Sequence, residues 1–145
     1  MRFFFYGTLL ARSANPVAQV VHRKLARGLS AIARGTLYAI PNPYGWYPAL
    51  VPDALGLAVC GSLHEALPEF GADDLALLDT YEHCAAVGGE FRREPIRAEI
   101  GAALETTALC YVYARSLPAG ARRLPDGDFR AFLRDTGLPE YRDPA

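Results

Sequence analysis

The chain has 145 residues, 51% of them hydrophobic and 21% charged, and a formal net charge of -1. That composition belongs to one ordered domain large enough to bury a core, and it excludes a disordered chain. A charge so close to zero offers no electrostatic basis for binding nucleic acid or an anionic membrane surface. No apolar run approaches the roughly 20 residues of a membrane helix. No basic stretch followed by an apolar segment and a small-residue cleavage site is visible at the start, so no secretory signal is expected. Cys60, Cys84 and Cys110 cannot all pair within one chain, which points to a reducing compartment and to the cytoplasm as the expected location.

Phe3, Phe4 and Phe5 specify a buried strand that stops at Tyr6-Gly7-Thr8-Leu9. Gly7 frees the backbone there, so the run is either an ordinary strand-to-loop turn or a cradle of amide donors for an anion. Asn15-Pro16 reads as an N-cap and first helical residue, and Val17, Val20, Val21 and Leu25 recur at helical spacing to about Arg27, with Gly28 as the stop. Leu29 to Ile40 reads as a strand. Pro41 to Pro48, with three prolines and the aromatics Tyr44, Trp46 and Tyr47, reads as a loop that packs as a lid, lines a pocket or simply fills space.

Leu57 to Ala66 is a further strand, with Gly61 marking a bulge or a close approach. Asp73 and Asp74 open a helix that runs to about His83. After Gly88-Gly89, Phe91–Ile100 alternates as a strand, and Thr106–Ala114 is another. A last helix spans about Asp128 to Asp135, stopped by Gly137, and Pro139 and Pro144 mark a loose tail. The expected organisation is a single domain over residues 1–137 with a tail over 138–145. Strands this unevenly interspersed with helices argue against a doubly wound sheet. They fit an α+β fold: a small closed or strongly curved mixed β-barrel with flanking helices.

The chemical clue is Glu82. Leu75, Leu78 and Glu82 fall three and four residues apart and share one helical face, the apolar one. A glutamate there is either drawn under the core's edge or left at a helix end where solvent reaches it. If buried, desolvation would raise its pKa and suit it to shuttling protons. Cys84 is the competing nucleophile, but neighbours on a helix do not face each other, so His83 is badly placed to activate it. Cys60 and Cys110 sit in apolar strand patterns and read as small core residues. His22 and His64 are far apart in sequence, and no two His or Cys positions show zinc-site spacing, so no metal is expected. The absence of a Gly-x-Gly-x-x-Gly run and of a phosphate-binding loop removes the obvious nucleotide cofactors, and none is expected. Arg92 or Arg93 could pair with Glu82, Asp79 or a substrate carboxylate, or lie on a strand surface.

In order along the chain, Phe5-Tyr6-Gly7-Thr8-Leu9, Gly35-Thr36-Leu37-Tyr38, Tyr47-Pro48-Ala49-Leu50 and Leu78-Asp79-Thr80-Tyr81-Glu82 resemble the gamma-glutamylcyclotransferase-like superfamily. Phe91-Arg92-Arg93, Tyr111-Val112-Tyr113 and Gly127-Asp128-Phe129-Arg130 extend the resemblance over nearly the whole chain. It is nearest the branch of gamma-glutamylamine cyclotransferases and small bacterial relatives. The resemblance implies a small β-barrel with a pocket at one side and a metal-independent, amide-cleaving cyclotransferase that releases 5-oxoproline and an amine. It implies Glu82 as acid/base and a substrate contact set of Tyr6, Gly7, Thr8, Leu9, Tyr47, Arg93 and Tyr113. The stretch His83 to Glu90 is longer than the family's compact turn and would border the leaving-group side. The expected partner is a small γ-glutamyl substrate, without nucleic acid or membrane, on a monomer or weak homodimer. The rival readings are a non-catalytic binder of a γ-glutamyl or amino-acid-like ligand, and a cyclotransferase that deprotects a biosynthetic intermediate.

Overall fold

The computed structural model describes residues 1–7, 16–84, 88–102 and 104–142. Thr8, Leu9, Asn15 and Pro144 and the Val17 side chain, named above, lie outside the described residues, as do residues 85–87 of the stretch after Glu82.

Strand β1 (Arg2–Phe5) is buried on both faces. Successive strand side chains point opposite ways. Phe4 and Tyr6 therefore join one core with Ala31, Ala33, Val59, Leu63 and Cys110, while Phe3 and Phe5 join another with Val21, Ile40, Leu78 and Tyr111. Helix α1 (Pro16–Arg23) follows, and β2 (Leu29–Asn42) is long enough to serve several partners. Its first half pairs antiparallel with β4 (Leu57–Glu65), and its second half with β3 (Gly45–Pro52). The exchange occurs at Gly35, where a β-carbon would stand 2.4 Å from the Val51 carbonyl oxygen, so only glycine fits.

Strands β5 (Phe91–Ile100) and β6 (Leu104–Tyr113) form an antiparallel pair, β6 lies parallel to β1, and β1 pairs antiparallel with β4. The sheet closes where Ile32 and Ala33 of β2 meet Glu99 and Ala98 of β5, giving the barrel order β2-β4-β1-β6-β5. Alanines at positions 31, 33, 98 and 108 keep the interior narrow enough to close with five strands. A two-residue strand β7 (Arg122–Arg123) adds to β2. Helices α2 (Ala72–Tyr81) and α3 (Phe129–Thr136) flank the barrel. The expected mixed α+β barrel is the fold.

Four local expectations change. Helix α1 ends at Arg23 rather than near Arg27, because Leu25 bridges to Ala66 and the Ala26 amide donates to the Glu65 carbonyl. Gly28 is required instead by the His64 ring, which a β-carbon would approach to 2.6 Å. Pro41 to Pro48 is a β-hairpin and not a loop, with Asn42 paired to Gly45 across the turn and the Tyr44 amide donating to the Asn42 Oδ1. Pro48 is tolerated because β3 ends the strand order, where a missing N–H costs little. Cys60 is exposed and not a core residue, since β4 turns Val59 and Leu63 inward and Cys60 outward; Cys110 is fully buried. Finally, residues 139–142 are not loose, because they hydrogen-bond along β3.

Gly61 marks a close approach: a β-carbon there would stand 2.5 Å from the Phe4 ring and from the Phe5 carbonyl oxygen. Helix α3 follows its local signals, with Asp128 Oδ1 accepting from the Ala131 amide and Gly137 at φ 70 taking the left-handed cap.

Candidate functional site

A cavity of about 590 Å³ opens where the end of β1, the end of α2, the β2–β3 hairpin and the start of β5 converge, and Glu82 lines it with Tyr6, Tyr47 and Tyr111. The placement of Glu82 begins with helix spacing. Leu78 is fully buried, Leu75 packs against the same core, and Glu82 one turn on is only 6% exposed. The glutamate on the apolar face has been drawn into the wall of a pocket.

The helix ends at this residue. Glu82 is the C-cap of α2, the His83 amide donates to the Thr80 carbonyl, and the Cys84 amide donates to the Asp79 carbonyl. These are the paired bonds of a Schellman motif, which calls for a left-handed residue just past the cap, usually glycine. Here His83 takes that conformation at φ 53. Among the described residues it is the non-glycine residue at positive φ, and it lies beside the buried carboxylate.

The turn before Glu82 is bound to the sheet. The Asp79 carboxylate accepts from Tyr111 Oη at 2.6 Å and from Arg93 Nη1 at 2.5 Å. The Tyr111 carbonyl in turn accepts from Tyr6 Oη at 2.5 Å. Tyr6, Tyr111 and the last turn of α2 are thus joined, and the chain of bonds runs along the cavity wall. Burial pushes the Tyr111 phenol up first, and the hydrogen bond to Asp79 adds to it. Burial likewise raises the Tyr6 phenol, reinforced by the neighbouring Cys110, with a Leu50 backbone hydrogen bond opposing. Both phenols therefore stay protonated and act as hydrogen-bond donors, not bases. Burial raises the Tyr47 phenol first, and the neighbouring Glu90 carboxylate adds to it.

Of the residues singled out in the sequence, Glu82, Tyr6 and Tyr47 line this cavity together. Gly7 follows directly on Tyr6 but is not among the lining residues, and Thr8 and Leu9 lie outside the described residues. Arg93 is not among the lining residues either; its charge is held by Asp79. Tyr113 stands one layer back, its ring edge-on to Phe91 at 5.6 Å and its hydroxyl donating to the Ser116 carbonyl. Of the hairpin aromatics, Trp46 turns away to meet Phe132, and Tyr44 is exposed.

Sequence reasoning missed Arg115, Glu90 as a side chain in its own right, and Tyr141. Arg115 Nη2 donates to the Gly88 carbonyl at 2.8 Å, and its guanidinium stands 3.8 Å from Glu90 at the cavity's rim. Nothing local in Ala114-Arg115-Ser116 marks it. Cys84 and His83 also line the cavity. Among the described residues, no group of three or more His, Cys, Asp or Glu side chains is arranged to hold a metal ion, and no helix is long and apolar enough to cross a membrane.

A family model described as gamma-glutamyl cyclotransferase, AIG2-like, matches residues 3–131. No curated protein sequence matches the chain. Among solved structures, the fold is similar to that of an AIG2-like protein from Mus musculus, at 18% identity and a TM-score of 0.70, covering 99% of this chain and 95% of that one. It is also similar to a part of Kluyveromyces lactis allophanate hydrolase, at 13% identity and a TM-score of 0.62, with 93% of this chain matching 21% of that one. A third likeness is to YkqA from Bacillus subtilis, at 17% identity and a TM-score of 0.59, with 94% of this chain matching 42% of that protein.

Proposed function

Because the chain belongs to the AIG2-like gamma-glutamyl cyclotransferase family, we propose that it converts a γ-glutamyl amide to 5-oxoproline and a free amine, with Glu82 as the acid/base. The observation that carries this reading is the burial of the Glu82 carboxylate in the wall of the cavity that Tyr6 also lines. A protein that only held its ligand would have no use for a proton-accepting group set there.

The substrate carries its own nucleophile. Its α-amine sits the right number of atoms from the γ-carbonyl to close a five-membered ring, so the attack is intramolecular and enjoys a high effective concentration. The obstacle is protonation. In this mechanism Glu82 takes a proton from the α-ammonium, and the freed nitrogen lone pair forms a bond to the γ-carbonyl carbon. The adduct's ring nitrogen then gives up its second proton, the adduct collapses, the original amide C–N bond breaks, and the departing nitrogen takes up two protons, one of them from Glu82, to leave as an ammonium. Protons balance with no net uptake, and one carboxyl group serves as base and then acid. The neutral phenols of Tyr6 and Tyr111 line the same cavity as fixed dipoles. The substrate's α-carboxylate would be held by backbone amides of the run Tyr6 to Leu9, since charge-assisted bonds are the stronger kind. Arg93 acts on the position of α2 through Asp79.

The direct test incubates the protein with a panel of γ-glutamyl amides and assays 5-oxoproline. Release of 5-oxoproline with the matching amine supports the reading; tight binding without turnover across the panel would replace it with the binding-protein alternative.

A further inference from the structure

The cavity is completed by a segment near the end of the chain, beyond the stretch matched by the family model. The Trp46 amide donates to the Pro139 carbonyl at 2.8 Å and the Tyr141 amide to the Trp46 carbonyl at 2.7 Å, so residues 139–142 run parallel to β3 as an added strap. Gly45 admits it: a β-carbon there would stand 2.5 Å from the Glu140 carbonyl oxygen and 2.7 Å from the Tyr141 nitrogen. Adjacent strand residues point to opposite sides, so Trp46 faces Phe132 while Tyr47 faces the cavity. The strap delivers Tyr141 onto that same side, where its ring meets Tyr47 edge-on at 5.8 Å and 73°. Tyr47 also meets Phe91 edge-on at 6.3 Å and 60°.

Three rings, each at least partly buried, thus line one side of the cavity. The edge-on packing of Tyr47 against Phe91 and Tyr141 presents aromatic ring surface along this wall. The carboxylate of a γ-glutamyl group gains nothing from such a wall, and its ammonium is the group that the proposed reaction commits to Glu82. A flat apolar group gains from the wall through edge-to-face contacts and burial. The volume of about 590 Å³ leaves room for one beside the glutamyl end. We propose that the strap is a built part of the substrate cavity and that Tyr141, with Tyr47 and Phe91, selects leaving amines that carry a flat apolar group. This deepens the cyclotransferase reading and rests on it for which end of the ligand meets the wall.

The experiment compares γ-glutamylbenzylamide with γ-glutamylethylamide in the unaltered protein, Tyr141→Ala and Tyr141→Phe. It measures kcat/KM from 5-oxoproline release and, in the Glu82→Gln background, affinity by calorimetry. Thermal melts confirm that each variant is folded. The unaltered protein should favour the benzylamide by about tenfold, the scale of one or two buried aromatic contacts. Tyr141→Ala should bring the two amides close to parity by weakening the benzylamide, and Tyr141→Phe should keep the preference. A ratio that does not change in Tyr141→Ala, or no preference to begin with, overturns the proposal while leaving the cyclotransferase reading intact. A benzylamide preference in binding that disappears with Tyr141, in a protein that releases no 5-oxoproline, upholds the aromatic wall and overturns the reaction. Failure of both amides to bind or react overturns both.

Discussion

The Tyr111 hydroxyl donates to the Asp79 carboxylate at 2.6 Å, three residues before Glu82 on the same helix. Because Tyr111 belongs to β6 and its carbonyl receives the Tyr6 hydroxyl, this bond fixes the last turn of α2 to the strands around the cavity. Tyr111→Phe removes the donor and leaves Arg93 as the carboxylate's remaining partner among these bonds. We expect a loss of about 1 kcal/mol in stability by chemical denaturation. We also expect kcat for a γ-glutamyl amide to fall more than KM rises, because the displaced turn carries Glu82. A stability loss with unaltered kcat would make the bond structural only.

His83 holds a conformation that costs an ordinary residue about 1 kcal/mol or more. His83→Gly should therefore raise stability by up to about 1 kcal/mol, part of the gain being offset by the greater freedom of glycine in the unfolded chain. Thermal or urea unfolding checks the sign. A destabilised variant would mean that the His83 side chain contributes more packing in the cavity wall than its backbone costs.

At the other end of α2, the Asp74 carboxylate accepts from the Gly71 amide and from Lys24 Nζ, each at 2.9 Å. These bonds, the Gly71 amide first, hold Asp74 below its ordinary value. A carboxylate with a lowered folded-state pKa adds stability above its unfolded pKa and loses it as pH falls through the folded one. Asp74→Asn should therefore be less stable than the unaltered protein at pH 7, and the difference should shrink below about pH 4. Melting curves from pH 7 down to pH 3 test this; a gap that stays constant across that range would contradict it.

What was legible in the sequence was what local chemistry decides. The bounds of β5 at Phe91 and Ile100 follow from alternation between a double glycine and a turn, and α3 follows from Asp128 and Gly137. Glu82 was legible because three residues at helical spacing carry their own geometry. The hairpin at Pro41 to Pro48 was misread because the tolerance of proline depends on which strand ends a sheet, a property of the closed barrel. The Asp79 bonds join residues 14 and 32 positions apart, and Arg115 reaches Gly88 across 27. No local pattern encodes such partners. Tyr141 fell in a stretch that its prolines marked as loose, and its place depends on the bare backbone of Gly45, almost a hundred residues earlier.

Recognition of the substrate's amino-acid end should outweigh recognition of its leaving amine. On the proposed reading, backbone amides of the run that begins at Tyr6 hold the charged α-carboxylate with bonds about twice as strong as neutral ones. Converting that carboxylate to an amide should lower kcat/KM by tenfold or more, roughly, on the scale of one lost charge-assisted bond. Equal rates for the masked and unmasked substrates would remove the anion cradle from the account.

The measurement that bears most directly on the central claim is the turnover number of Glu82→Gln on an amide that the unaltered protein cyclises. Glutamine keeps the shape and can still hydrogen-bond, but it cannot accept a proton and return it. The account predicts an unchanged fold, affinity within a fewfold of the original, and a kcat lowered by about a hundredfold or more. Near-original turnover in a correctly folded Glu82→Gln protein would contradict it.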